Sequence, residues 1–514
     1  MRKIIALLGL ILLSFCAPRQ RPELSAPSAG DLQEIEEADA LRRKGCYVAL
    51  LQAFEIYDRL YAQAATKKIV APKLAPTALL LAAREKELGI VGPNHLDKAL
   101  EVIRANPSLN AYIPYAEMVG LLRIRGKGVM EEIVSAVDPR FGPEAEARIE
   151  TMDADLRLKA SADEFFAYVY AARQCAFSRY EKRDDLNDLW DLFPNSPLLK
   201  YKQATCSQED EALLQALVAA EPQFYEAEFH LGNIYLSQGL LLTAEEHFLS
   251  AYEGILESSL ITVSLASVAF ATEELERSLD FYEKTLALTP EYREALLGKA
   301  ICLSYLSRPL EAISVCERII ALGFWLLGES YYWLAWNQHE LKDNEAAAAS
   351  IEESKGRLPT SSEVFTLSGI IAMERGDLAK AEKEFKEALQ YNSSNSEALY
   401  RLGSLYSQRE DWLNSADYFE RAGWNYGTEA LVIQNKINQA EKSTMAADRK
   451  ERLLKKKRNQ LEKTRLIEAT AFYNSAAGFF NADRKAKALE LATRAAAHPS
   501  FKKKAEELIS RIKF

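Results

Sequence analysis

The chain is poor in the residues from which small rigid folds and catalytic centres are built. Its 514 residues include 22 glycines, 17 prolines, six cysteines and five histidines. So little glycine and proline excludes collagen-like and low-complexity chains and leaves room for uninterrupted helices. No two cysteines have the C-x-x-C spacing of a zinc or redox site. Beyond Cys16 there are Cys46, Cys175, Cys206, Cys302 and Cys316, an odd number that neither demands nor forbids a bridge. Most of them read as buried thiols. The histidines (His95, His230, His247, His339, His498) form no H-E-x-x-H pair, and His230 and His247 read as satisfied residues of neighbouring helices. There is no G-x-S-x-G, no phosphate loop and no G-x-G-x-x-G. No catalytic, cofactor-binding or metal-binding residue is therefore assigned, and the chain reads as non-enzymatic. A formal charge of −10 argues against nucleic acid as a partner, which needs a basic footprint.

What the chain does have is a repeat. Taking Tyr225, Ser259, Arg293, Gly328, Ser362 and Ser396 as first positions, the steps are 34, 34, 35, 34 and 34 residues. The eighth position is then Gly232, Ala266, Ala300, Ala335, Gly369 and Gly403, and the twentieth Ala244, Ser278, Ala312, Ala347, Ala381 and Ser415. The twenty-fourth is Phe248, Tyr282, Cys316, Ile351, Phe385 and Phe419. Small residues let two helices approach, and the bulky residue one turn later fills the groove beside them. One helix pair cannot cover its own apolar face, so neighbouring pairs stack. Gln238-Gly239, Arg375-Gly376-Asp377 and Arg409-Glu410-Asp411 mark turns within pairs, and Pro222, Pro290 and Pro359 mark repeat ends.

At Leu231-Gly232, Tyr235, Ala244, Phe248 and Ala251, and again at Leu402-Gly403, Tyr406, Phe419 and Ala422, the chain resembles the tetratricopeptide repeat family. The resemblance implies an all-α fold, a right-handed superhelical solenoid of helix pairs. It also implies a concave face lined by positions 2, 5, 9, 12 and 13 of each repeat. In the fourth repeat these are Glu329, Tyr332, Trp336, His339 and Glu340; elsewhere they include Phe229, Asn233, Leu297, Tyr305, Tyr400 and Ser404. The basic clamp with which some members hold a carboxylate terminus is matched here only at Asn233.

The N-terminus reads as a targeting segment. Arg2 and Lys3 precede the apolar run Ile4 to Leu13, which is too short to span a bilayer. Leu13-Ser14-Phe15-Cys16 resembles the bacterial lipoprotein processing box, which implies a lipid anchor on Cys16. Ala17, rather than aspartate, implies by the same resemblance the periplasmic face of the outer membrane. The other reading is a secretory peptide cut after Cys16, leaving a periplasmic protein.

The expected organisation is a signal peptide (1–15), a tether (16–30), degenerate helical repeats (31–137), an irregular segment with further degenerate repeats (138–224), six repeats (225–428), a long basic helix (429–467) and a degenerate repeat with a capping helix (468–514). Arg449 to Arg458 holds seven basic residues against one acidic residue, while Ala447, Leu454 and Leu461 recur every seven residues. The plain reading is a solvated helix face; anionic lipid or an acidic partner are the alternatives.

Aromatic residues lining a groove suit peptide recognition, whereas aromatic residues at helical spacing also serve as core. The functional expectation is a membrane-anchored scaffold. It would hold a protein or peptide partner at the bacterial envelope, in an assembly or secretion complex. The alternative is a small-molecule-binding accessory lipoprotein of a transporter.

Overall fold

The structure, a computed structural model, describes residues 26–90, 94–121, 153–177, 184–206, 210–323, 326–443 and 446–513. The signal peptide, Cys16, most of the tether and the opening of the 138–224 segment lie outside the described residues. Of the described residues, 83% are helical. Among the described residues there is no strand, only an isolated bridge between Ile90 and Ser258. No described helix is long and apolar enough to cross a membrane.

The chain divides into two compact units, 1–261 and 262–514. In the first, α1 (Ala29–Lys44) and α2 (Tyr47–Tyr61) meet at Gly45, whose positive φ only glycine takes without strain. Then come α3 (Lys67–Leu88), α4 (His95–Ala105), a 3-10 turn (Pro107–Tyr112), α5 (Ile113–Leu121), α6 (Asp153–Ala160), α7 (Glu164–Phe177), α8 (Asp184–Leu192), α9 (Pro197–Cys206), α10 (Glu211–Ala220), α11 (Tyr225–Ser237) and α12 (Leu241–Gly254). Helix α3 is buried on every side from Leu74 to Glu85, the pattern of a helix at the heart of a unit rather than on its surface. Cys175 on α7 and Cys206 on α9 form a disulfide, with Cα atoms 5.2 Å apart. Cys46, Cys302 and Cys316 are buried free thiols. Most of the non-leader cysteines are thus thiols, but one bridge exists that spacing alone could not show.

The division falls within α13 (Ser259–Ala271). The second unit continues with α14 (Leu275–Leu288), α15 (Arg293–Tyr305), α16 (Pro309–Leu322), α17 (Leu327–Glu340), α18 (Asn344–Arg357), α19 (Ser362–Glu374), α20 (Leu378–Tyr391), α21 (Ser396–Gln408), α22 (Trp412–Lys442), α23 (Ala447–Asn481), α24 (Lys485–Ala495) and α25 (Lys502–Lys513). Five of the six repeat first positions are the first residues of helices, and Gly328 is the second of its helix. The backbone repeats the same step. Gly239, Glu273, Ser307, Lys342, Gly376 and Glu410 all have positive φ at the fifteenth position, where the chain turns from one helix to its mate. In the fourth to sixth repeats an aspartate follows: Asp343, Asp377 and Asp411 accept a backbone N–H of the next helix and cap it.

The long basic helix expected after the sixth repeat is instead a hairpin. Helix α22 ends at Lys442, and α23 begins at Ala447 and runs back. Ala430, Ile433 and Ile437 of α22 form an apolar seam with Leu461, and Leu454 packs beside them. A single exposed helix would have left that seam in water, so the chain folds it against itself. The last part of α23 then pairs with α24: Phe472, Ala476, Phe479, Ala488 and Ala492 share a core that α25 closes with Ala505, Leu508 and Ile512.

Candidate partner-binding face

Three of the six helix pairs are closed by a glycine notch. A Cβ on Gly232 would stand 2.5 Å from the Phe248 ring, one on Gly369 2.6 Å from Phe385, and one on Gly403 2.8 Å from Phe419. These contacts set how successive first helices present their outer positions.

In the second unit the first helices bring aromatic residues together. Phe270 on α13 lies 6.3 Å from Tyr305 on α15, ring centre to ring centre, and Tyr305 lies 5.5 Å from Trp333 on α17. Trp333 meets Tyr332 at 5.3 Å and Trp336 at 6.0 Å. Asn337 fixes the alignment by donating to Ser304 Oγ at 2.7 Å and to the Trp333 carbonyl at 2.6 Å. Tyr332 and Trp336 rest on a buried cluster of Ala335, Ile351, Val364 and Leu367 and stay half-buried. They are therefore core on one side and surface on the other. Tyr305 is 56% exposed. Burial raises the Tyr332 hydroxyl pKa, with smaller contributions from Tyr305 and Glu363.

The remaining sequence candidates fall in other places. His339 Nε2 is 3.1 Å from Glu374 Oε1. Burial alone would raise the Glu374 carboxyl, but His339 holds it below its ordinary range. Tyr400 packs edge-on against Phe419 at 5.1 Å, and Ser404 Oγ donates to the Tyr400 carbonyl. Phe229 is only 6% exposed and lies against Phe248, so it belongs to the interior of its repeat rather than to a groove. Asn233 is half-buried in the same first unit. Trp333, at the sixth position of its repeat, joins the cluster although the family positions pass over it; the run Tyr331-Tyr332-Trp333 was the available signal.

A second constellation lies inside the first unit. The Arg84 guanidinium is wholly buried, 3.5 Å from the Tyr201 ring centre and 5.2 Å from that of Tyr168. It pairs with Glu87 at 3.4 Å and lies 4.0 Å from Glu226. Burial works against the Glu87 charge, yet Lys202 and Arg84 hold its carboxyl below the ordinary range. Glu226 accepts the Tyr47 N–H at 2.7 Å, and burial pushes its pKa up to about 7 against the pull of Arg84. These side chains come from α3, α7, α9 and α11 and bind four helices together. His230 hydrogen-bonds the Tyr201 hydroxyl at 3.0 Å, and His247 bonds Glu228 at 2.5 Å, so both histidines are engaged.

Comparison with known proteins agrees with the helix-pair reading. The sequence profile of the tetratricopeptide repeat matches residues 211–255 and 366–425. The human protein O-mannosyl-transferase TMTC1 is 25% identical over 222 residues, which cover 42% of this chain and 25% of that protein. The chain thus spans a quarter of the length of this curated relative. Among solved structures, a tetratricopeptide repeat protein from Parabacteroides merdae is 18% identical with a TM-score of 0.37, covering 51% of this chain and 98% of its own. Pseudomonas aeruginosa pilF is 19% identical with a TM-score of 0.35, covering 38% of this chain and 88% of its own. Paired helices at a 34-residue step, three of them closed by glycine–aromatic notches, and the match of the family profile show that the chain carries tetratricopeptide repeats over residues 211–255 and 366–425.

Proposed function

We propose that this chain is a non-catalytic scaffold that holds a protein or peptide partner at the bacterial envelope through the aromatic face of its second unit. The observation that carries the reading is the continuous run Phe270, Tyr305, Trp333, Tyr332 and Trp336 on three successive first helices, with Tyr305 left open to solvent. Rigid aromatic side chains supply contact area at low entropic cost. An open face of this kind suits an extended partner better than an enclosed small ligand. Transfer chemistry is not proposed, since the transferase relative shares only a quarter of its length with this chain.

Export and anchoring are part of the proposal and rest on Arg2-Lys3, the apolar run to Leu13 and Cys16. Lipid on Cys16 would hold the scaffold at the periplasmic face of the outer membrane by burying methylenes, about 0.8 kcal/mol for each.

The experiment is crosslinking of the full chain in its native envelope, with capture compared between wild type and Tyr332→Ala/Trp336→Ala. The double variant should lose the captured partner while keeping its helical circular dichroism; undiminished capture would sink the groove. Cys16→Ser in the same cells should release the protein from the membrane fraction.

A further inference from the structure

The arm made by α22 beyond Gly427 and α23 before Ala469 does more than separate the sixth helix pair from the last. Its basic face reaches back to one place in the second unit, the turn between α13 and α14. Arg449 Nε donates to Glu274 at 2.5 Å. Lys456 Nζ donates to the Glu273 backbone carbonyl at 2.8 Å. Lys457 pairs with the Glu273 carboxylate and is only 5% exposed. At 1.5 Å per residue, the helix from Arg449 to Ala469 is roughly 30 Å long, which is the reach of the arm.

The two residues it meets are both carboxylates, at positions fifteen and sixteen of the second repeat. Position fifteen is glycine in the first and fifth repeats, Gly239 and Gly376, where positive φ costs nothing. The second repeat has Glu273 there at φ 62°, and so keeps a carboxylate at the price of backbone strain. Position sixteen is a capping aspartate in the fourth to sixth repeats, whereas Glu274 makes no side-chain cap and binds Arg449 instead. The landing point is also the end of the aromatic run. Phe270 is three residues before Glu273, and the Glu273 charge adds to burial in raising the Tyr305 hydroxyl pKa.

We infer that the α22–α23 arm is an ionic strap of this molecule on itself, docked on Glu273 and Glu274. It must release that turn before a partner can reach Phe270, the end of the aromatic run beside the landing point. The second half of the inference rests on the aromatic face being the partner site; the strap itself does not. Ion pairs at side-chain tips fasten and release readily, and salt weakens the more exposed of them.

The test needs no partner. A zero-length carbodiimide crosslinker on the purified full chain should join Lys456 or Lys457 to Glu273 or Glu274 within the monomer. The yield of the link from the exposed Lys456 should fall about fivefold in roughly 1 M salt, where screening acts over about 3 Å, and that from the buried Lys457 should fall less. Lys457→Glu should abolish the Lys457–Glu273 link, and Glu273→Lys added to it should restore a link between the exchanged side chains. No link at low salt, or a link found only in a species of twice the mass, overturns the strap. For the consequence, hydroxyl-radical labelling of the half-buried Phe270 should rise at least about twofold in Arg449→Ser/Lys456→Ser/Lys457→Ser. Unchanged labelling overturns the competition. Because the crosslink is read without a partner, a strap that forms while capture by Tyr332 and Trp336 fails separates the two readings.

Discussion

At the scale of the residue, glycine at the eighth repeat position acts by what it leaves out. The Phe385 ring sits where a Gly369 side chain would be, so the two helices of that pair close face to face. Alanine there would gain up to about 1 kcal/mol in helix propensity and lose about 1–3 kcal/mol to overpacking, a net loss of up to about 2 kcal/mol. Valine has no such compensation. Gly369→Val should therefore cost about 1–3 kcal/mol or more, read as a lower urea midpoint at unchanged m. Gly376, with open space where a Cβ would be, turns on its positive φ of 82° instead. The first kind of glycine was legible in the sequence because it recurs in register with an aromatic partner sixteen residues on. Trp333 was not, because its position becomes an outer one only through the neighbouring rings it meets.

At the scale of the element, α3 shows how much a single helix can hide. Its apolar run ends in Arg84, Glu85 and Glu87, which in sequence look like an ordinary charged helix end. In the fold Arg84 and Glu85 are buried, and Arg84 finds its partners on α7, α9 and α11. Nothing in the spacing reveals such partners, since Glu226 is more than a hundred residues away and charge pairing leaves no periodicity. The network makes stability depend on pH through Glu226. Its folded pKa of about 7 lies above the ordinary 4.5, so the native state holds a proton that the unfolded chain has lost. The stabilising effect of that proton is complete below pH 4.5 and disappears as pH rises through 7. The loss is up to about 3 kcal/mol. Glu226→Gln keeps an acceptor for the Tyr47 N–H and should flatten this fall between pH 5 and 8, measured by urea unfolding at each pH. An unaltered slope would mean that Glu226 is ionised throughout.

At the scale of the whole molecule, the covalent and ionic ties are unevenly placed. The disulfide joins α7 to α9 in the first unit, across 31 residues of chain. A closed loop of that length restricts the unfolded state by about 3–4 kcal/mol. In stacked repeats stability passes mainly between neighbours. Reduction should therefore lower hydrogen-exchange protection in α7, α9 and α10 by about 3 kcal/mol, while α17 to α21 keep theirs. Equal loss throughout the chain would show that the two units unfold as one.

By itself the sequence determined the periodic part of this protein. Small and bulky residues recur every 34 positions, and packing rules that act between neighbouring helices convert such a period directly into stacked pairs. The tertiary structure alone decided what has no period: the reversal of the basic helix into a hairpin, its landing on Glu273 and Glu274, the partners of Arg84 and the Cys175–Cys206 bridge. Each of these joins residues far apart in the chain, and chemical complementarity at a distance becomes visible only once the fold has brought its two halves together.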